Sequence, residues 1–253
     1  MPNPRWTHDR KLTKTHLGVV GVDEAGRGCL AGPVVAGAVI LPCAFFGDAK
    51  NRKLTAEMND SKQFDEKKRE SLYSRVLELV ENKALFGATG KASVKEIEEH
   101  NIVGATCLAM QRAMDAASCK YASLWKPDLT SSMELFENNR DQGKDWIVLV
   151  DGRPMKKLPY KHAGLVKGDT KSLAIAMASM LAKVSRDRFM RELHNQFPEF
   201  GFNSNKGYGA PFHLRALREC GPTEHHRPRF LRNLLSDTKN TARNQEQSQL
   251  SLL

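Results

Sequence analysis

The sequence predicts an α/β fold, a sheet flanked by helices. Three observations carry that prediction. Short β-branched runs alternate with longer stretches of helical period, in the order β-β-α-β-α-β-β-α. The 253 residues are 40% hydrophobic and 27% charged, which supplies a core and excludes a disordered chain. Several apolar runs end abruptly in acids, as strands do where an open α/β sheet presents its ligand-binding edge.

Residues 1–16 are polar, basic and aperiodic, and read as a loose arm; extra DNA contact from Arg5, Arg10, Lys11 and Lys14 is one reading of it. Residues 17–22 (LGVVGV) and 34–41 (VVAGAVIL) read as buried strands. A polar loop with Asn59-Asp60-Ser61-Lys62 follows, and Asp65 caps a helix to about residue 81, with Leu72, Val76, Leu77 and Val80 on one stripe. Residues 84–89 offer a third strand, and Ser93 caps a helix to about residue 117. The polar stretch 127–144 reads as an inserted loop. Residues 146–150 (WIVLV) form a fourth strand ending at Asp151-Gly152, and 163–166 a fifth. A long helix rich in Ala, Met and Leu runs from Thr170 to about residue 196. A Gly/Asn loop spans 198–210, a short helix follows Pro211, and residues 236–253 form a polar, flexible tail. Residues 17–235 are expected to fold as one domain.

Lys and Arg exceed Asp and Glu by 39 to 29, a net charge of +10. Between Gly152 and Arg218 the count is 13 against four, so this quarter of the chain carries most of the excess. A polyanion such as nucleic acid is the first partner to consider. The five cysteines, Cys29, Cys43, Cys107, Cys119 and Cys220, are scattered and include no C-x-x-C pair, which argues against zinc or a disulfide framework. No run approaches 18 apolar residues and no apolar leader precedes the first strand, so a cytoplasmic protein without a membrane partner is expected.

Asp23 and Glu24 follow one strand, Asp151 follows another, and Asp169 precedes the long helix. Singly, each acid reads as a cap or a turn residue. Together, in a basic protein, they point to divalent cations that contact a phosphate backbone, the logic of two-metal phosphodiester hydrolysis. Gly26-Arg27-Gly28 comes directly after the first pair. A dinucleotide-binding loop fits it badly, because two acids precede the turn and a strand follows it. A Walker A loop also fails, because Thr170 precedes Lys171-Ser172.

The run GVDEAGRGCLAGPVVAGAVIL at 21–41 resembles the opening signature of the ribonuclease HII family. Asp60-Ser61-Lys62, Leu149-Val150-Asp151-Gly152, Lys167-Gly168-Asp169 with the helix after it, Gly207-Tyr208-Gly209, His213 and Gly221-Pro222-Thr223 resemble its later motifs, in order. Ala210 stands where the family often has Thr, and 127–144 looks longer than the usual connection.

The resemblance implies a ribonuclease H-like mixed sheet with a helical C-terminal portion, and a monomer. It implies endonucleolytic cleavage of the RNA strand of RNA–DNA hybrids. It also implies cutting 5′ of a single ribonucleotide in duplex DNA, leaving 3′-hydroxyl and 5′-phosphate ends. The family's four acids map onto Asp23, Glu24, Asp151 and Asp169, expected to hold Mg²⁺ or Mn²⁺, with Asp23 bridging two ions. Adjacent residues of a regular strand face opposite ways, so the strand is expected to end or bulge at Asp23-Glu24. Gly26, Arg27 and Gly28 resemble the turn that reads the 2′-hydroxyl, and Tyr208 the tyrosine that stacks on the following deoxyribose. Lys62, Lys167, Lys183, Arg186 and Lys206 are candidate phosphate contacts, although Lys183 and Arg186 could instead pair along their helix with Asp187 or Glu192. Gln249, Leu250, Ser251, Leu252 and Leu253 resemble the short motif by which bacterial repair proteins bind the sliding clamp. A non-catalytic nucleic-acid-binding module on the same fold is the competing reading, and the intact acid set stands against it.

Overall fold

Three antiparallel strands begin the sheet: β1 (Gly18–Ala25), β2 (Val34–Pro42) and β3 (Phe86–Ala92). Two more, β4 (Ile147–Asp151) and β5 (Ala163–Leu165), run parallel to β1 on its other side. The order is therefore β3-β2-β1-β4-β5, a mixed five-stranded sheet. This computed structural model describes residues 3–120, 125–126 and 145–232. The expected 127–144 loop, the 236–253 tail and its Gln249–Leu253 motif lie outside the described residues.

Alternation along the strands sorts the core into two layers. Val20, Val22, Val148 and Val150 pack beneath α4 (Val94–Lys120), with Ala109, Met110 and Ala113. Val19, Val39 and Leu149 face the other way, toward α3 (Glu66–Glu81) and α5 (Leu173–Gln196), with Leu72, Ala174 and Met177. Helix α5 lies close on the sheet: a Cβ on Gly21 would meet the Ala174 backbone at 2.2 Å. A third cluster holds α6 (Phe202–Asn205) and α7 (Pro211–Cys220) against Leu30, Ala31 and the end of α5. No helix among the described residues is long and apolar enough to cross a membrane.

Several boundaries differ from expectation. Helix α4 contains a break at Asn101 (φ 55°, ψ 172°), whose Oδ1 accepts from the Val103 and Gly104 amides and restarts the helix. Helix α5 begins after Ser172 rather than at Thr170, because the Ser172 hydroxyl caps the Ile175 amide. The 43–54 region holds a short helix, α2 (Ala49–Leu54), capped by Asp48.

The N-terminal residues are not a loose arm. Asn3 caps α1 (Pro4–Leu12), and Pro4 occupies its first position. Trp6 is buried, its ring 5.2 Å from Phe45 and 5.0 Å from Phe46. One aromatic anchor and one buried acid, Asp9, hold this helix, so it has no apolar stripe for periodicity to reveal.

Candidate active site

Strands β1 and β4 are parallel neighbours with Val22 opposite Val150, so Asp23 and Asp151 come next on both, at the same end and on the α5 face. Asp169 sits in the 3₁₀ turn Gly168–Thr170 that leads into α5. Carboxylate oxygens of Asp23, Asp151 and Asp169 lie within 4.8 Å of one another. The Asp151 carboxylate accepts from the Gly168 amide at 2.6 Å, which ties the turn to the strand. Asp23 accepts from the Glu24 amide at 2.7 Å and from the Ser179 hydroxyl of α5, itself 2.9 Å from Ser61.

Glu24 lies outside this closest trio but beside it. The strand neither ends nor bulges at 23–24: Asp23 pairs with Gly37, Glu24 with Ala36 and Ala25 with Val35. Its carboxylate lines the cleft with Lys62 and Ser179, close enough to Asp23 and Asp151 to act on their charge, and accepts from Arg27 Nη1 at 3.1 Å. The expected break is absent because β2 is long enough to keep pairing through these positions.

Burial raises the Asp23 carboxyl well above its ordinary range, and Glu24 and Asp151 push it further. Burial also raises Asp169, reinforced by Asp151 and Asp60. Glu24 is raised by burial while Arg27 pulls it down. Lys62 Nζ lies 3.7 Å from Asp169 Oδ2; burial works against its charge, yet Asp23, Asp60, Asp169 and Asp151 together raise its pKa. Three converging carboxylates with one partly exposed lysine remain under-neutralised. An all-oxygen set of this kind fits a hard divalent cation.

A cleft of about 620 Å³ opens beside the acids, lined by Glu24, Gly26, Arg27, Lys62, Ser179 and Tyr208 among others. Gly26 has φ +94°, and a Cβ there would sit 2.1 Å from Arg186 Nε, so the turn requires glycine on both counts. The Leu30 amide bonds the Gly207 carbonyl at 2.8 Å, which sets the Gly26–Gly28 turn beside the Tyr208 loop. Tyr208 lines the cleft and is 47% exposed as a residue, with its hydroxyl on Cys29.

The candidate phosphate contacts divide. Lys62 and Lys167 are exposed, with Lys167 in a left-handed conformation two residues before Asp169. Lys183 pairs with Asp187 at 2.7 Å. Lys206 is buried, its ammonium on the Asn203 carbonyl and 3.5 Å from Glu66. Arg186 is 1% exposed and donates to the carbonyls of Pro33 (3.1 Å), Ala31 (3.0 Å) and Lys206 (2.8 Å). It braces the two loops from within and cannot reach a phosphate.

Sequence reasoning missed other supporting residues. Arg227, fully buried, donates to Gly32 at 2.9 and 2.8 Å and to Arg27 at 3.0 Å. Ser179 had one signal, a hydroxyl in the apolar run AIAMASMLA. The His213–His226 pair (Nε2 to Nε2, 3.0 Å) links the Thr223 amide, which donates to His226, to the Tyr208 carbonyl, which accepts from His213 at 2.8 Å. This chain of bonds needs both rings neutral.

Burial lowers the His226 pKa from 6.5 to about 4, and His213 is also lowered. A base depressed on folding stabilises the fold fully above its unfolded value and loses that contribution as pH falls from 6.5 toward 4. Thermal midpoints across this window should therefore fall less steeply for His226→Gln than for the unaltered protein. Identical slopes would show that the pair does not couple folding to protons.

A family model described as Ribonuclease HII matches residues 20–234. The ribonuclease HII of Fusobacterium nucleatum is 41% identical over 237 residues, covering 93% of this chain and 94% of that protein. The ribonuclease HII of Archaeoglobus fulgidus, solved in a complex with PCNA, is similar with a TM-score of 0.53 at 24% identity, over 83% of this chain and 93% of that one. Bst-RNase HIII, solved with Mn²⁺, gives 0.59 at 14% identity, over 90% of this chain and 72% of that one. The two structural likenesses carry the fold; the family model and the sequence identity carry the kinship. The chain therefore belongs to the ribonuclease HII family and is a metal-dependent ribonuclease H.

Proposed function

We propose that this protein cuts the RNA strand of RNA–DNA hybrids and also cuts 5′ of a single ribonucleotide in duplex DNA, leaving 3′-hydroxyl and 5′-phosphate ends. The observation that carries this reading is a cleft walled by Glu24, Lys62, the Gly26–Gly28 turn and Tyr208, with Asp23, which accepts from the lining Ser179, in the converging acid group beside it. Asp23, Asp151 and Asp169 would hold Mg²⁺ or Mn²⁺, with Glu24 contributing from the cleft side. When bound, a pair of such ions activates the attacking water and stabilises charge on the phosphate.

The chain's own residues do the selecting. The backbone of Gly26, Arg27 and Gly28 approaches the substrate closely and reads the 2′-hydroxyl, which marks RNA. The exposed Tyr208 ring stacks on the next sugar and favours deoxyribose there. Lys62 and Lys167 flank the acids and take the neighbouring phosphates. The PCNA-bound relative supports a second contact, in which Gln249–Leu253 docks on a sliding clamp and raises the local concentration of enzyme on DNA.

A DNA duplex carrying one ribonucleotide, an all-DNA duplex and a continuous hybrid test the reading. Cleavage of the first at a single position and of the hybrid, both abolished by EDTA, is expected. Tyr208→Ala should lower cleavage at the single ribonucleotide about fivefold or more, given about 1–3 kcal/mol for aromatic stacking. Cleavage of the hybrid alone would remove the single-ribonucleotide reading, and deletion of 249–253 without loss of clamp binding would remove the clamp reading.

A further inference from the structure

We infer that helix α1 is a working part of the acid site, in which Arg5 and Asp9 position Asp169 and thereby set the site's affinity for its divalent cation. This rests on the reading of Asp169 as a metal ligand. Asp169 lies in a three-residue 3₁₀ turn rather than in a long helix or strand, so its placement depends on what grips that turn from outside. Arg5 Nε donates to the Asp169 backbone carbonyl at 2.9 Å. On the far side of the turn, the fully buried Asp9 carboxylate accepts from the Ser172 hydroxyl at 3.0 Å and the Ala174 amide at 2.9 Å. An acid at a helix N-terminus is favoured by the helix dipole, so Asp9 fixes the start of α5.

The same helix also grips the other wall. Arg5 Nη2 bonds the Asn59 side chain, whose Oδ1 accepts from the Asp60 amide at 2.8 Å. Asn3 Nδ2 donates to the carbonyls of Thr55 at 3.0 Å and Met58 at 2.9 Å. This segment carries Lys62, the cation beside Asp169 Oδ2. Arg5 therefore joins the loop bearing Lys62 to the turn bearing Asp169, and Trp6 anchors the helix that holds Arg5 in place.

Residues that orient metal ligands typically change metal affinity or activity by 10–100-fold when removed. The direction of the effect separates two roles for Arg5. As a bare positive charge near a cation site it repels the ion, and its removal would tighten binding. As a positioning residue its removal loosens Asp169 and weakens binding. Calorimetric titration of Mn²⁺ without substrate, well below the melting temperature, reads this directly. Arg5→Ala is expected to weaken Mn²⁺ binding about tenfold. Arg5→Gln, which keeps an amide NH₂ donor group but no charge, should recover part of that loss and serves if Arg5→Ala does not fold. Saturating Mn²⁺ should restore kcat to within about threefold of the unaltered enzyme. Mn²⁺ binding unchanged or tighter in both variants would overturn the inference, leaving α1 as a stabilising element alone. Asp169→Asn is titrated in parallel: if it too binds Mn²⁺ normally, the failure belongs to the ligand assignment on which the inference rests.

Discussion

Asp23→Asn is expected to abolish cleavage and, at neutral pH without metal, to raise the melting temperature. Asp23 is buried between two strands and has other carboxylates as neighbours. Folding raises its pKa from an ordinary value of 3.8. A raised acid stabilises the fold fully below that ordinary value and loses the contribution as pH rises through the folded one. At pH 7 this acid therefore opposes folding, and a neutral amide of the same shape removes that penalty. Each kcal/mol recovered corresponds to roughly 2–4 °C in a chain of this size. Loss of several kcal/mol of transition-state stabilisation makes cleavage about a thousandfold slower or worse. Added Mg²⁺ should raise the melting temperature of the unaltered protein much more than that of the variant. A variant that melts lower than the unaltered metal-free protein would show that Asp23 is a structural acid.

Arg186→Leu should have the largest effect on stability. It removes a buried guanidinium and leaves the carbonyls of Ala31, Pro33 and Lys206 without donors. An unsatisfied buried acceptor costs about 1–3 kcal/mol, so the sum is on the order of 3 kcal/mol or more, or roughly 6–12 °C in melting temperature. Were Arg186 a phosphate contact, the variant would melt normally and lose only substrate affinity. Thermal denaturation and a fluorescence binding assay on the same preparation separate the two. A shift under about 2 °C would restore the phosphate reading.

The parts of the site legible in the sequence were those written in local pattern. Apolar β-branched runs ending in Asp23 and Asp151 marked strands and the edge where they stop, and the fold follows that order. The role of a cation was not legible. Arg186 and Lys62 look alike in sequence, yet one is bonded to carbonyls from 31, 33 and 206 while the other stands beside the acids. Burial of a charge depends on partners distant in the chain, which no local window contains. Glu24 shows the opposite limit. Its adjacency to Asp23 suggests one tight set, yet with β2 pairing unbroken through both positions Glu24 lies outside the closest trio and faces the cleft beside it. Helix α1 escaped because a single tryptophan and a buried acid fasten it, where most helices use a stripe.

The parallel pairing of β1 with β4 also governs when the molecule becomes dangerous to a nucleic acid. Val19 lies beside Ile147, so everything between them must be made and folded out of the way before Asp151 can come alongside Asp23. Closing so long a loop is entropically costly and slow compared with pairing β1 with β2, which only residues 26–33 separate. Asp169 and α5 follow later still in the chain. A chain from which residues 147–169 have not yet emerged therefore cannot assemble Asp23, Asp151 and Asp169 into one group.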